Sequence, residues 1–263
     1  MSSSPLSSLG SSLDSLLDNN DLLKQQQLKS WRQFSQQHPD SYQQLNSAQL
    51  EHFKLALTLS DFVLSSALQA PELVVDLFAN NDVYQQVTPE YSDLLSLQLA
   101  QCQDEVQLHR ILRRFRLQQM VNIAVADLVL NIELERSLAR LSALADALIL
   151  ASLSWLTHFC QTKWGIPIST DGETQSLLVY GMGKLGGKEL NFSSDIDLIF
   201  VYPKKGETQG CRRSLDNQQF FTRLAQKLIS SLHQQTADGF VYRVDMRLRP
   251  FGESGPLVLT FNA

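Results

Sequence analysis

The chain has 263 residues and an apolar fraction of 43%, enough for one large domain or two modest ones with a buried core. Its formal net charge of −5 argues against a general nucleic-acid-binding protein, which is more often basic. Three scattered cysteines form no CxxC pair and no zinc pattern, which suits a reducing compartment. No secretory signal, transit peptide or apolar membrane span is visible, and we expect a cytoplasmic protein with no membrane partner.

The N-terminal part of the chain predicts helices. Residues 1–30 are rich in Ser, Gln, Asn and Leu, and we expect them to be disordered. Apolar residues at helical spacing follow, which predicts a helical region over residues 31–170, with long helices over 104–131 and 133–164. The first of these carries a basic cluster, which is either a solvated face or a contact for an acidic partner or phosphate. The members of this cluster are Arg110, Arg113, Arg114 and Arg116.

The remaining residues, 171–263, read as a separate unit that begins with a strand, a glycine-rich loop and a second strand. The loop has four glycines in the seven residues 181–187, and such a loop can close tightly around an anion. Asp195 and Asp197 open the second strand, where residues two apart point to the same face. Two carboxylates beside a phosphate-binding loop are typical of Mg²⁺ sites.

A third carboxylate lies on a later predicted strand, Phe240–Pro250, which follows an amphipathic helix over Asp216–Gln235. Its alternate residues on one face are Arg243, Asp245, Arg247 and Arg249. If this strand lies beside the Asp195 strand, three carboxylates converge, and the arginines can neutralise phosphate oxygens. A structural ion pair of these arginines with Glu189 or Glu253 is the alternative.

Two other phosphate-binding patterns fit this stretch less well. The loop lacks the GxxxxGK[ST] sequence of a P-loop. Residues 181–186 match GxGxxG, but a dinucleotide-binding fold would continue into a long helix, whereas a second strand follows here. The combined pattern therefore favours metal-dependent nucleotidyl or phosphoryl transfer, with Ser193 and Ser194 orienting the loop or the carboxylates.

Two long segments, GMGKLGGKELNFSSDIDLIF and YRVDMRLRPFGESGPLVL, closely resemble the bifunctional glutamine synthetase adenylyltransferase/adenylyl-removing family. That family belongs to the polymerase β-like nucleotidyltransferase superfamily. The resemblance covers residues 177–263 well and 48–164 loosely. It implies an α+β fold, in which a helical N-terminal region precedes a polymerase β-like mixed sheet with flanking helices. Family members are much longer, and this chain is similar to the N-terminal part of their adenylyl-removing half, with the catalytic domain incomplete.

The resemblance also implies a reaction. The removing half takes AMP from a modified tyrosine of glutamine synthetase by Mg²⁺-dependent phosphorolysis, which gives ADP. Asp195, Asp197 and Asp245 would be catalytic and would hold two Mg²⁺ ions, with ATP or ADP and phosphate as substrates or products. The expected nucleotide- and phosphate-binding residues are Gly181, Gly183, Lys184, Ser193, Ser194, Arg247 and Arg249. The PII signal protein would be a further partner, through the full-length enzyme.

One departure from the superfamily pattern concerns the loop. The usual Gly-Ser dipeptide is Gly183-Lys184 here, which leaves open whether the Lys184 side chain or only the loop backbone contacts phosphate. Three other functions also stay open: adenylylation in the ATP-using direction, a non-catalytic fragment that binds glutamine synthetase or PII, and a polymerase-like enzyme. The acidic charge and the lack of an aromatic-basic stripe argue against the last, and we expect no nucleic-acid partner.

Overall fold

The structure, a computed structural model, describes residues 20–85, 88–250 and 252–261. The contacts within the chain divide it into two compact units. The first contains the described residues up to Thr88 together with Leu117–Ser137, and the second contains Pro89–Arg116 and the described residues from Leu138 onward. The predicted domain boundary near residue 170 stays a prediction.

The secondary structure is helical first and mixed afterwards, which confirms the α+β class. The helices are α1 Asp21–Gln37, α2 Ser47–Leu59, α3 Asp61–Gln69, α4 Pro71–Ala79, α5 Tyr91–Leu99, α6 Glu105–Leu128, α7 Leu134–Trp164, α8 Gly183–Gly186 and α9 Asn217–His233. The strands are β1 Ile166–Ser169, β2 Leu178–Met182, β3 Ile196–Tyr202, β4 Gly206–Gln209, β5 Val244–Asp245 and β6 Val258–Thr260. Two 3-10 turns lie at Asp82–Tyr84 and Gly252–Ser254.

The first helix corrects the prediction of disorder for part of the N-terminal stretch. Helix α1 begins at Asp21, where the Asn20 side chain accepts the Leu23 backbone N–H at 3.1 Å and so caps the helix. Burial of Ser30 and Phe34 then holds one face of α1 in the core. Residues 1–19 lie outside the described part of the chain.

The core of the first unit is built around aromatic rings. Phe34 and Phe53 meet edge to face with their centroids 5.0 Å apart, and Phe53 meets Phe78 in the same way at 5.2 Å. All three side chains are fully buried. Side chains from the C-terminal half of α6, including Val121 and Val125, join this cluster. Burial of the apolar stripes of short helices accounts for the stability of this unit, since such helices are marginal alone.

A four-stranded mixed sheet organises the second unit. Strand β3 is central: β2 pairs with one edge in antiparallel orientation. Strands β5 and β6 both pair with β3 in parallel orientation, β5 at Ile196 and Asp197 and β6 from Phe200 to Tyr202. The β3 side chains alternate between buried and half-buried positions, so one face of this strand lies in the core.

One strand prediction is wrong, and one small sheet was not predicted. The third predicted strand, Phe240–Pro250, forms a ladder only at Val244 and Asp245, because the chain then turns and the Arg249 N–H bonds back to the Met246 carbonyl. A small antiparallel sheet of β1 and β4 was missed, since both strands consist of four residues with turn-like composition.

Helix α9 packs against the sheet with the face that its apolar spacing predicts. Phe220, Leu224, Leu228 and Leu232 are all fully buried. The helix starts where Asp216 Oδ1 accepts the Gln218 N–H at 2.7 Å and so caps the helix. The Tyr202 ring at the end of β3 packs on Phe221 with centroids 4.9 Å apart. The helix thus fixes β3, whose other end carries the aspartates.

Helix α7 is long and apolar, which matters for the prediction that the chain has no membrane span. By length and composition alone it could cross a membrane, and so could the bent pair α3–α4 if taken as one span. Core helices of soluble proteins meet the same criteria, and α7 buries residues such as Leu144 and Leu148. The expected absence of a membrane partner therefore stays a prediction.

Candidate active site

The sheet brings the predicted carboxylates to one place. Asp197 and Asp245 are register partners on the parallel strands β3 and β5, so their side chains leave the same face of the sheet. Asp195 directly precedes β3, and the buried Ile196 between the two aspartates points to the core. Strands β3 and β5 are therefore adjacent, as the predicted convergence of the three carboxylates requires.

Arginines partner two of these carboxylates. Arg243 Nε lies 3.1 Å from Asp195 Oδ1. Arg247 binds Asp245 more completely: its Nε and Nη2 lie 2.8 and 2.5 Å from Oδ2, and its backbone N–H donates to Oδ1 at 2.8 Å. These hydrogen bonds from Arg247 hold the pKa of Asp245 below its usual range. Asp245 is therefore ionised throughout the neutral range.

Gly183 is required by the position of Asp197. Its φ of +54° lies in the left-handed region, and a Cβ at this position would lie 2.6 Å from Asp197 Oδ2. An alanine would both strain the backbone and collide with the carboxylate. The glycine at this position thus lets the loop approach the carboxylate directly.

The glycine-rich segment forms a helical turn, α8, rather than an open loop. A Cβ on Gly186 would meet the Gly181 carbonyl oxygen at 2.6 Å, and one on Gly181 would touch Leu185 at 3.0 Å, so the turn is tightly wound. The Lys184 side chain is exposed. The segment is anchored where the Leu190 N–H donates to the buried Ser142 hydroxyl of α7 at 3.1 Å. Phosphate binding by Gly181, Gly183 and Lys184 stays a prediction.

The two serines before the DxD sequence support the loop. Ser194 Oγ donates to Asn191 Oδ1 at 2.7 Å, and the Ser194 N–H donates to the Asn191 carbonyl at 3.2 Å. Ser193 is exposed, and its Oγ lies 3.5 Å from the same Asn191 side-chain oxygen. An orienting role for the two serines and a phosphate contact both stay predictions.

Arg247 and Arg249 lie in a turn that follows β5, which corrects the predicted strand alternation. Asp245 Oδ1 accepts the Arg247 N–H two residues on, a local bond that ends the strand. Arg249 Nη1 donates to the Met246 carbonyl at 2.8 Å. Arg247 pairs with Asp245, and an ion pair of these arginines with Glu189 or Glu253, the alternative that the sequence left open, stays a prediction.

His233 is a residue of the site that the sequence did not reveal. It ends α9, and its Nδ1 accepts the Val244 N–H at 3.0 Å on the outer edge of β5. On the inner edge, the Ile196 N–H donates to the Arg243 carbonyl at 2.9 Å. Strand β5 is thus held from both sides, and His233 is a positioning residue for Asp245. No local sequence signal marks this role, because the two residues meet only through the packing of α9.

The described residues contain no group of three His, Cys, Asp or Glu side chains arranged to hold a metal ion. Arg243 and Arg247 bind oxygens of Asp195 and Asp245 in this structure. The donor chemistry nevertheless fits a hard divalent cation, because Asp195, Asp197 and Asp245 supply only carboxylate oxygens at one end of the sheet.

A mixed sheet that gathers three aspartates beside a glycine turn has the layout of a nucleotidyl- or phosphoryl-transfer protein. The family model described as glutamate-ammonia ligase adenylyltransferase matches residues 50–263. The chain belongs to this family, whose named relatives are nucleotidyltransferases.

Individual relatives carry the name bifunctional glutamine synthetase adenylyltransferase/adenylyl-removing enzyme. The protein of Shewanella loihica is 50% identical over 233 residues, which cover 88% of this chain and 24% of the relative. That of Psychromonas ingrahamii is 52% identical over 225 residues, covering 82% and 23%. That of Vibrio parahaemolyticus is 49% identical over 221 residues, covering 81% and 22%. The chain thus spans about a quarter of the length of these curated relatives.

Proposed function

We propose that this chain carries the adenylyl-removing site of a glutamine synthetase-modifying enzyme. In this reaction phosphate attacks the AMP group on a tyrosine of glutamine synthetase, and ADP leaves with the tyrosine hydroxyl regenerated. The observation that carries the proposal is the register pairing of Asp197 with Asp245, next to Asp195, in a chain of this family.

Two Mg²⁺ ions would be held by Asp195, Asp197 and Asp245. When bound, such ions polarise phosphoryl oxygens and stabilise the charge of an in-line transfer. The chain's own part is to fix the carboxylates: Gly183 leaves room for Asp197, and His233 holds the strand of Asp245. Electrostatic stabilisation of this kind depends on groups that are positioned before the reaction.

Cationic side chains would bind the phosphate groups. Lys184 is exposed on the turn next to Asp197, and Arg247 lies on Asp245 at the same strand end. Guanidinium groups match phosphate oxygens in geometry, so Arg247 and Arg249 can neutralise the charge on phosphate and AMP.

The partners follow from the same proposal. Glutamine synthetase is the substrate, as the names of the relatives suggest, and PII would act through the full-length enzyme. We propose action in the cytoplasm, without nucleic acid or membrane. Removal is preferred to ATP-dependent addition because the candidate site follows an N-terminal helical region, as in the removing half.

Phosphorolysis tests the proposal directly. The chain would be mixed with adenylylated glutamine synthetase, phosphate and Mg²⁺, and ADP release would be followed. We expect ADP from the parent chain and at least about a hundredfold less from Asp195→Asn, because the electrostatic contribution of one such group is of that order. Asp171→Asn is the matched control, since Asp171 lies in an exposed turn and pairs with Lys204.

The reverse assay separates the two directions. It supplies unmodified glutamine synthetase and ATP, and it follows transfer of labelled AMP. Transfer of AMP to glutamine synthetase without ADP release in the first assay would show that this chain adds AMP and does not remove it. Binding of glutamine synthetase by a folded chain, with activity in neither direction, would support the non-catalytic alternative.

A further inference from the structure

The face of the four-stranded sheet that carries Asp197 also carries exposed apolar side chains. In the register of β2 with β3, Met182 lies opposite Asp197. The next pair on the same face is Tyr180 with Ile199, because residues two apart on a strand point to the same side. Tyr180 and Met182 are 49% and 37% exposed, and Ile199 is half-buried. An apolar strip therefore begins directly beside the carboxylate of Asp197.

The other face of the sheet forms the core, and this leaves the strip open. Tyr202 of β3 points to that buried face, where its ring packs on Phe221 of α9. Among the described elements, β2 contacts chiefly β3 and the turn α8. A single exposed apolar side chain is common on a protein surface, whereas neighbouring ones on two strands mark a binding surface.

The strip and the carboxylates together suit a ligand that has an aromatic end and an anionic end. The side chains of the strip on β2 and β3 are uncharged: Leu178, Tyr180, Met182, Ile199 and Val201. Apolar and aromatic walls of this kind bind organic rings, and nucleobases stack on aromatic side chains. The carboxylates at the end of the strip suit phosphate groups that are bound through a divalent cation. A mononucleotide combines these two chemical parts.

The position of Tyr180 favours the adenine base over the other aromatic part of the substrate, the modified tyrosine ring. That ring is joined to the phosphorus directly through its oxygen, so it stays close to the phosphate group. The base is separated from the phosphate by the ribose and reaches further. Tyr180 lies diagonally from Asp197 across the two strands, and such positions are roughly 7–8 Å apart. A base whose phosphate lies at Asp197 can therefore cover Tyr180, whereas the tyrosine ring would lie nearer to Met182.

We propose that the Tyr180 ring is the stacking platform for the adenine base of the AMP group, with Met182 and Ile199 at its borders. This inference rests on the proposed function, because it assigns a place to the part of the transferred group that lies away from the phosphorus. Stacking on Tyr180 removes apolar surface of both rings from water. The strip thereby contributes to the affinity for the nucleotide, while the carboxylates act on its phosphate.

Calorimetric titration of the full chain tests this proposal with ADP, the product of the proposed reaction, in the presence of Mg²⁺. Tyr180→Val removes the ring but keeps a residue type that suits a strand. We expect this variant to bind ADP about tenfold more weakly or worse than the parent chain, since a base stacked on an aromatic ring contributes at least this factor. Tyr180→Phe keeps the ring and should bind ADP within about twofold of the parent chain.

Two controls separate stacking from damage to the sheet. Pyrophosphate has the phosphate groups of ADP without the base, so its binding should be the same in the parent chain and in Tyr180→Val. Disruption of β2 would instead weaken both ligands. Phe261→Ala is the matched variant, because Phe261 is an exposed aromatic residue that follows β6, at the end of β3 opposite to the aspartates. It should leave the ADP affinity unchanged.

Three results would overturn the inference: no measurable binding of ADP to the parent chain, an unchanged ADP affinity in Tyr180→Val, or an equal loss of affinity for ADP and pyrophosphate in that variant. The phosphorolysis assay keeps this inference distinct from the proposed function. ADP release by the parent chain together with an unchanged ADP affinity in Tyr180→Val would remove the stacking platform and leave the function in place. Binding of ADP that depends on Tyr180, without ADP release, would support the platform and contradict the function.

Discussion

At the scale of single residues, Gly183 is constrained both by its backbone conformation and by the carboxylate of Asp197. Its backbone has a positive φ, and a Cβ added there would lie 2.6 Å from Asp197 Oδ2, so a side chain is opposed in two ways. The two effects can be separated, because Gly172 has a φ of +85° but no atom within 4 Å of its Cβ position. A substitution at Gly172 therefore reports the backbone strain alone.

We predict that Gly183→Ala abolishes ADP release, while Gly172→Ala leaves it unchanged. Both variants should lose stability by roughly 1 kcal/mol from the strained backbone, and Gly183→Ala should lose more because Asp197 must move. Urea denaturation and the phosphorolysis assay provide the two readouts. Equal activity of both variants would show that the turn does not position Asp197.

Asp245 provides a test of the electrostatics. Arg247 lowers its pKa, so the pair stabilises the folded state above the unfolded pKa of about 3.9, and this contribution is lost as the pH falls through the lower, folded value. We predict that Arg247→Gln raises the Asp245 pKa toward its usual value, as measured by NMR titration of the carboxyl carbon. The stability difference should be at most about 1 kcal/mol, because Arg247 is exposed.

The control for this titration is Arg212→Gln, since Arg212 is exposed and lies in a different turn. It should leave the Asp245 pKa unchanged. High salt should reduce the effect of Arg247, because exposed pairs are screened. An Asp245 pKa that does not respond to Arg247→Gln would show that the two side chains do not pair in solution.

At the scale of elements, the short strand β5 depends on neighbours rather than on its own length. Two residues form its ladder with β3, and His233 accepts the Val244 N–H on the other edge. We predict that His233→Ala increases the hydrogen-exchange rate of the Val244 amide and weakens ADP release. His158→Ala is the control, because His158 is exposed on α7. Unchanged exchange at Val244 would contradict the positioning role.

The link between α6 and α9 depends on Arg113. Its guanidinium satisfies carbonyls at the C-terminal end of α9, where backbone oxygens lack helical partners. We predict that Arg113→Ala lowers the free energy of unfolding by about 3 kcal/mol or more, since several buried carbonyls lose their donor. Arg110→Ala, an exposed position of the same helix, should change it by less than about 0.5 kcal/mol. Equal losses of unfolding free energy for the two variants in chemical denaturation would show that Arg113 does not link α6 to α9.

At the scale of the whole molecule, we predict that folding does not depend on a bound metal ion. Asp195 and Asp245 are already neutralised by Arg243 and Arg247, so the chain should stay folded in EDTA. Mg²⁺ should then raise the thermal midpoint by mass action, and Asp197→Asn should remove this increase. Asp171→Asn should keep it. An equal Mg²⁺ response in both variants would place the ion elsewhere.

Much of this architecture could be predicted from the sequence. Periodicity located α6, α7 and α9 to within a few residues, because each buries one apolar stripe, and the apolar run after Asp195 located β3. The residues Asp195, Asp197 and Asp245 were singled out by their types and spacing. The family was recognised from two long motifs and is confirmed by the match over residues 50–263.

Other features depended on contacts between distant residues. The length of β5, the β1–β4 sheet and the burial of Arg113 and Arg140 follow from packing, which local propensity does not encode. The charge pattern of the basic cluster on α6 suggested a solvated or ligand-binding face, yet Arg113 is buried against peptide carbonyls.

Residue types and their spacing specify which side chains can take part in the chemistry: carboxylates, glycines and arginines at intervals that suit a strand and a turn. Which of them meet is decided only when the chain folds. The parallel pairing of β5 with β3 joins Asp197 to Asp245 across 48 positions of the chain, from 197 to 245. That pairing requires α9 to pack on the sheet. The apolar side chains of α9 are buried there against residues that are distant in the sequence, so this packing is a property of the folded chain as a whole.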